Sequence, residues 1–431
     1  MTSPDTGPQR PDGLLQDRQF VRYLVARGLS GAGNVATLIA LPVLVYRLSG
    51  DPGLTALVAG CEAAPYLLFG LFSGALTDRW NRRRVMIVAD LLSALLLATI
   101  PLAAWLGTVT VPHVLVVAFL GPTIGVFFDG AVFGAIPTLV GRDRIAGANS
   151  IAWSVHSVVE IVVPSTVGAL LAVLDPAWLL GFDALTFVLS AALIAGIHRP
   201  MHDASRRHAP LTVGLLFRDI RDGLRFLVRH DGVRTMTLVG FLQCVSLGGF
   251  MSLTVVWLDR VLGLGTEGWR FGVTYGAWAV GGLAASLALP RLLRRVTPAR
   301  ITLTTLPFAA ALGVLVSLLQ TWWVVAALMV VWSVAATLVM INSITYRQQV
   351  TPENLLGRVN TAGRMLSWGV GWTGGALLAG VLVGPLGLRA TMSAFACVNL
   401  VGVVVAWTSP LRRTADARPT WNEIPDPESV P

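Results

Sequence analysis

Arg27, Glu62, Asp90, Asp129, His156, Glu160, Asp183 and Arg364 lie inside long apolar runs of this sequence. An ionisable group in such a setting costs about 2.5–3.5 kcal/mol on insertion scales and is by default a functional hypothesis. A carboxylate in a low-dielectric cavity keeps its proton to higher pH than in water, so it can pick up and release one near neutrality. A cationic or bulky solute can then compete with that proton, which is exchange in its simplest form. Glu160, near the middle of its run, and Glu62, in the outer half of its own, are the leading proton carriers. Both could instead form a structural ion pair or hydrogen bond between helices, with Arg27 as a partner. Asp129 lies toward the inner end of its run, and carrier and structural roles stay open for it. His156 precedes Glu160 by four residues and shares its helical face, which suits a proton relay or a satisfied core histidine. Asp90 and Asp183, near helix ends, read as structural, and Arg364 as pairing with an acid or a loop.

The elements that must hold these groups follow from composition. The chain has 431 residues, 54% hydrophobic and 13% charged. Soluble domains average roughly 25% charged residues, so this chain cannot cover a water-facing surface. The apolar runs are Phe20–Tyr46, Leu54–Thr77, Val85–Leu106, Val111–Phe133, Ser150–Leu174 and Trp178–Ile197, then Val233–Leu258, Phe271–Leu292, Ile301–Leu319, Trp322–Tyr346, Thr361–Val383 and Leu388–Trp407. Each is near the roughly 20 apolar residues that a spanning helix needs. Lipid forces a backbone to satisfy its own hydrogen bonds, so these are helices rather than open strands. The expectation is an all-α membrane protein of twelve spans in two six-helix bundles. The polar N-terminal stretch is followed by an apolar run too long for a cleavable signal.

The net charge is +9 and all 32 basic residues are Arg. A chain without Lys has no phosphate-binding loop of the Walker type and no Schiff-base enzyme chemistry. The arginines sit in short loops between apolar runs, which speaks against nucleic acid as a partner. They are also lopsided. With the N-terminus inside, the inner loops carry most of them, and the outer loops carry only Arg47, Arg260, Arg270 and Arg389. Both termini are therefore expected in the cytoplasm. Residues 1–19 form an N-terminal tail, 20–197 and 233–408 the two bundles, 198–232 a linker, and 409–431 a C-terminal tail. In the linker, Leu216, Phe217, Ile220, Leu224, Leu227 and Val228 share a face opposite Arg218, Arg221, Arg225 and Arg229. Such a helix lies on the membrane surface or packs on the bundle. Cys61, Cys244 and Cys397 fall in separate apolar runs and read as buried thiols, with no metal site.

The halves repeat. Gly70, Gly74, Arg79, Arg82 and Arg83 recur 212 residues later as Gly282, Ser286, Arg291, Arg294 and Arg295. Val140, Asp143, Ile145 and Gly147 recur after 210 as Val350, Glu353, Leu355 and Gly357. A parallel duplication places a binding cavity between the halves, near the bilayer midplane. Gly70 and Gly74, four apart, permit close helix approach. Asp78 beside Arg79, Arg82, Arg83 and Arg84 can latch two rocking halves, with Arg291, Arg294 and Arg295 as the second-half counterpart.

The stretch Gly74-Ala75-Leu76-Thr77-Asp78-Arg79-Trp80-Asn81-Arg82-Arg83-Arg84 resembles the loop signature of the major facilitator superfamily, with Asn81 where most members have Gly. Asp183-Ala184-Leu185-Thr186-Phe187 and Thr351-Pro352-Glu353-Asn354-Leu355-Leu356-Gly357-Arg358-Val359-Asn360 are similar to the branch holding macrolide-efflux proteins and the enterobactin exporter. The resemblance covers roughly residues 20 to 407. It implies a proton- or ion-driven exporter of drug-like, antibiotic or siderophore-like molecules working by alternating access. Three departures bear on coupling rather than fold: Asn34 where branch members often carry an acid, Val163–Gly168 in place of a Gly-Pro export signature, and no Arg in Val111–Phe133. The expected partners are a small-molecule substrate and the lipid bilayer of a bacterial cell. The chain is expected to be monomeric, with no cofactor, the proton gradient supplying the energy. The alternative is proton-coupled uptake of a small metabolite. A non-transporting receptor or enzyme finds no nucleophile–base arrangement, metal cluster or soluble domain to support it.

Overall fold

The computed structural model describes residues 13–77, 80–141, 144–199, 201, 213–266, 268–293, 295–351 and 353–412. Asp78, Arg79 and Arg294, and most of both expected tails, lie outside them. The first half contains α1 (Arg18–Ser49), α2 (Pro52–Thr77), α3 (Arg82–Trp105), α4 (Val111–Val140), α5 (Ile145–Leu170) and α6 (Pro176–Ala195). After α7 (Val213–Arg229), the second half contains α8 (Asp231–Ser252), α9 (Thr254–Arg260), α10 (Trp269–Leu293), α11 (Pro298–Leu318) and α12 (Trp322–Val350). It ends with α13 (Glu353–Arg364), a π-helical segment (Met365–Trp372), α14 (Thr373–Leu386) and α15 (Leu388–Thr408). The expected seventh span is thus α8 with α9, and the eleventh is α13, the π segment and α14 in line. Eleven helical stretches among the described residues are long and apolar enough to cross a bilayer, and Ser154–Leu170 adds a shorter apolar one.

Local chemistry sets the helix ends. Asp17 caps α1 by accepting from the Gln19 amide at 3.0 Å, and Asn81 caps α3 by accepting from the Arg84 amide at 3.2 Å. Asp175 and Thr297 cap α6 and α11, each followed by a proline at the first helical position, where its missing N–H costs nothing. Asn81 therefore does work that a glycine at that site would do less well. Gly50 closes α1 with φ 64°, in the left-handed region.

Within the first half α1 packs on α5 and α6, α2 on α4, and α3 on α4 and α6; in the second, α10 and α11 pack on α12, and α8 and α11 on α15. Close approach comes from glycines. A Cβ on Gly33 of α1 would run into the Asp183 carboxylate and the Thr186 hydroxyl of α6. One on Gly130 of α4 would stand 2.9 Å from Thr77 Oγ1 and 3.1 Å from the Ser73 carbonyl of α2. Gly70 does not act this way here: nothing lies within 4 Å of where its Cβ would be.

The amphipathic α7 takes the packed placement. Asp222 pairs with Arg358 of α13 at 3.2 Å, Leu227 is buried, and Gly223 lets α7 lie on the α13 backbone at Arg358. Arg218, Arg221, Arg225 and Arg229 face outward. The side chains of Leu216, Phe217 and Ile220 lie outside the described residues.

Candidate functional site

The contacts between the halves run from the middle of the bundle to its arginine-poor end. There Tyr46 of α1 donates to Asp259 of α9 at 2.6 Å and accepts from Arg260 Nε at 2.9 Å. Arg260 also donates to the Gly50 carbonyl at 2.6 Å, and Arg47 to Thr266 at 3.1 Å. Two helix crossings, α2 with α14 and α5 with α10, complete the seam. The Gly53 and Gly380 backbones of α2 and α14 touch, Gly60 lies under Leu377, and Gly168 of α5 abuts Gly272 of α10. The Gly268 amide donates across the seam to the Gly168 carbonyl at 3.1 Å. Deeper in, Leu67 of α2 meets Gly369 of the π segment.

Below this seam a cleft holds charged side chains. Arg27 of α1 reaches Asp129 of α4 at 3.7 Å, with side chains 34% and 39% exposed, and its guanidinium lies 5.2 Å from the Phe128 ring centre. The Tyr66 hydroxyl of α2 is within reach of Asp129, and His156 and Arg364 are close enough to feel its charge. On α5, His156 Nε2 lies 3.3 Å from Glu160 Oε1, and the two side chains are 46% and 53% exposed. Glu160, Pro164 and Gly168 succeed one another at four-residue steps, so they share a face of α5. That face meets α10 at Gly168, so Glu160 faces the gap between the halves where the seam has ended. Asn34 lies seven residues after Arg27 on the same face of α1, and is exposed.

The remaining acidic candidates are buried, Glu62 at the seam and Asp90 and Asp183 within the first bundle. Glu62 of α2 is 9% exposed, two residues beyond Gly60 of the seam and near Tyr275 of α10 in the other half, while the partner of Arg27 is Asp129. Asp183 of α6 accepts from Thr37 of α1 at 2.5 Å and from Thr186 at 2.9 Å, joining α1 to α6. Asp90 of α3 is 1% exposed beside Ser190 of α6, and its Oδ2 has no hydrogen-bond partner. The sequence thus proposed one list of acids, and the fold divides it into cleft-facing, seam and bundle-internal members.

Two of the described latch arginines, Arg83 and Arg291, donate within their own halves. Arg83 donates to the Ile194 carbonyl at 3.3 Å and to the Ala195 carbonyl, while Arg22 donates to the Gly196 carbonyl at 2.6 Å. Two cations thus cover the carbonyl end of α6, where the helix dipole favours them. Arg82 is buried and Arg84 exposed at the start of α3; Arg291 donates back to the Leu287 carbonyl at 3.0 Å, and Arg295 is exposed. The hydrogen bonds described for Arg83 and Arg291 stay within their own halves, and Asp78, Arg79 and Arg294 of the expected latch lie outside the described residues.

Sequence reasoning passed over Tyr46, Asp259 and Arg260, which look like ordinary loop-edge polar residues. A signal was present: Arg47 and Arg260 belong to the few exceptions to the arginine bias. It also passed over Arg347 of α12, which is buried.

Two six-span bundles around a charged cleft, sealed at one end by contacts between pseudo-equivalent halves, define a major facilitator transporter and not an enzyme. The family model described as transmembrane secretion effector matches residues 14–430. The chain belongs to that family of the major facilitator superfamily. It is 30% identical to the multidrug efflux pump Tap of Mycolicibacterium fortuitum over 396 residues, 90% of this chain and 95% of that protein. It is 24% identical to the enterobactin exporter EntS of Citrobacter koseri, covering 95% and 93%. Macrolide efflux protein A of Streptococcus pyogenes is 26% identical over 220 residues, 49% of this chain and 53% of that protein. Among solved structures, the nucleoside transporter NupG superposes with a TM-score of 0.72 at 14% identity, covering 90% of this chain and 98% of that one.

Proposed function

We propose that this protein exports amphiphilic drug-like, antibiotic or siderophore-like molecules across a bacterial plasma membrane in exchange for protons. The His156–Glu160 pair carries the reading: an acid and a base 3.3 Å apart, mid-depth on the face of α5 that opens to the cleft. The names of the relatives, efflux pumps for several drugs, for macrolides and for a siderophore, support export. With the arginine-rich end in the cytoplasm, as the positive-inside rule directs, both termini are cytoplasmic and the cleft faces inward. Glu160 then gives up a proton to the cytoplasm as substrate enters. Closure of the arginine-rich end brings the Gly74–Arg84 loop into its latching role and turns the site outward. Glu62, enclosed in the inward-facing state, serves the packing of α2, and the working unit is a monomer.

The test uses everted membrane vesicles holding a pH gradient. Cationic dyes, macrolides, tetracyclines and siderophores are added, and substrate-induced proton release is followed by fluorescence. Release is expected with wild-type protein and with Glu62→Gln, and is lost in Glu160→Gln. Equal release in Glu160→Gln vesicles overturns the assignment of the carrier. Absence of release for every compound, with inserted protein present, overturns proton-coupled export of this class.

A further inference from the structure

A second charged recess lies inside the C-terminal half, across the cleft from the Arg27–Asp129 pair. It holds about 20 Å³ of space open to a water-sized group, between α8, α12, α13 and the start of the π segment. Its polar lining includes Arg347, Arg364, Thr237 and Ser367. Arg347 is 4% exposed. Its Nε donates to Asn360 Oδ1 at 3.1 Å, and no carboxylate among the described residues lies within ion-pair distance of it. Gly363 makes the placement possible, since a Cβ there would occupy the position of the guanidinium. Arg364 has no ion-pair partner among the described residues either. The acid that faces it across the cleft, Asp129, is held by Arg27 at 3.7 Å. Thr237 is 7% exposed and its hydroxyl, buried in this lining, has no hydrogen-bond partner.

Two guanidinium groups of like charge, one of them buried, are costly without an anion, because burial removes the water that would otherwise solvate them. A hydroxyl without a partner adds to that cost. A carboxylate or phosphate-type group placed between them would satisfy all three, and Arg presents its donors in the fork that such groups match. Asn360, Arg364 and Ser367 follow at four- and three-residue steps on one face of α13 and its continuation. The chain turns π-helical at Met365, directly after Arg364, and π segments inside helices often mark functional positions. The recess is narrow and takes an acidic headgroup rather than a whole drug-sized molecule.

We infer that the C-terminal half carries an anion subsite, centred on Arg347 and Arg364, for the acidic group of a transported amphiphile. This deepens the export reading: the acids Asp129 and Glu160 of the N-terminal half and the arginines of the C-terminal half together suit a molecule bearing both charges. The same chemistry would hold the headgroup of an anionic lipid, and the test separates the two.

Full-length protein in detergent micelles is titrated with naphthoate, with its uncharged amide naphthamide, and with inorganic phosphate, by calorimetry and by Trp368-sensitive fluorescence quenching. Naphthoate is expected to bind, phosphate to compete with it, and naphthamide to bind weakly or not at all. Arg364→Gln weakens naphthoate about ten- to a hundredfold, as does Arg347→Gln. Gly363→Ala, which keeps both charges but displaces Arg347, gives a loss of the same sign. Arg364→Gln changes an exposed side chain, so its result stands even where Arg347→Gln fails to fold. Displacement of naphthoate by phosphatidylglycerol, but not phosphatidylcholine, supports the subsite and assigns it to lipid; retention of naphthoate supports it and assigns it to substrate. Equal binding of naphthoate and naphthamide, or unchanged affinity in Arg364→Gln, overturns it. Binding is read without flux, so a failure of proton exchange leaves this result to stand or fall alone.

Discussion

Removal of the Tyr46 hydroxyl should loosen the arginine-poor seam by a calculable amount. That hydroxyl donates to Asp259 at 2.6 Å and accepts from Arg260 at 2.9 Å. Hydrogen bonds to charged groups are worth about 1.5–3 kcal/mol when shielded. Tyr46 is 8% exposed, but Arg260 is exposed, so solvent screening reduces each bond to about 1 kcal/mol. Tyr46→Phe should then cost the sealed state about 2 kcal/mol, provided that neither bond is remade once the halves part there. A ligand or contact shifts a conformational equilibrium only by its differential energy, and about 2 kcal/mol corresponds to about a thirtyfold shift. The remaining bonds, Arg260 to Gly50 and Arg47 to Thr266, keep the sealed state populated. The assay is maleimide labelling of Ala56→Cys from the arginine-poor side, in protein with Cys61, Cys244 and Cys397 replaced. Ala56 is 0% exposed, beneath Gly380, so its labelling reports opening. The rate should rise about ten- to thirtyfold in Tyr46→Phe. A rate within about twofold of the parent would refute the assignment of these bonds to the gate.

Gly168→Val should force α5 away from Gly272, because the new side chain meets backbone that cannot yield; Ala56→Cys labelling should accelerate and substrate flux fall. Gly33→Ala drives a methyl into the Asp183 carboxylate, which Thr37 and Thr186 already hold; a loss of about 1–3 kcal/mol is expected, read as a lower Tm of the purified protein. Asp17→Asn keeps the α1 cap but loses the pair with Arg199. Burial raises the Asp17 carboxyl, yet Arg199 and the Gln19 and Phe20 amides outweigh it and hold the group below its ordinary 3.8. The stabilisation is therefore complete above that value and disappears as the pH falls through the lower folded value. The Tm difference between wild type and Asp17→Asn should be present at neutral pH and shrink as the pH falls below 3.8.

Much of the architecture was legible because lipid leaves few choices. An apolar run of about 20 residues must close its own backbone bonds, so α1 to α6 and their second-half counterparts fall close to the expected runs. Breaks in regularity were not legible: no local pattern marks the split between α8 and α9 or the π segment after Arg364, whose Gly369 and Gly371 lie against Leu67 and Phe241. The acids were legible as a list, since a carboxylate among apolar residues stands out. Their division was not, because depth along a helix says nothing of whether a side chain meets the cleft, as Glu160 does, or an adjacent helix of its own bundle, as Asp183 does.

From the sequence alone come the membrane setting, the twelve spans, the duplication, the loop motif and the His156–Glu160 spacing, all of them consequences of local composition and periodicity. Only the tertiary structure decides which end is sealed, that Arg27 belongs to Asp129 rather than to Glu62 or Glu160, that Arg83 caps α6, and that Arg347 and Arg364 share a recess. Those pairings join residues tens to hundreds of positions apart. Their energies depend on distance and burial, which a one-dimensional pattern does not contain.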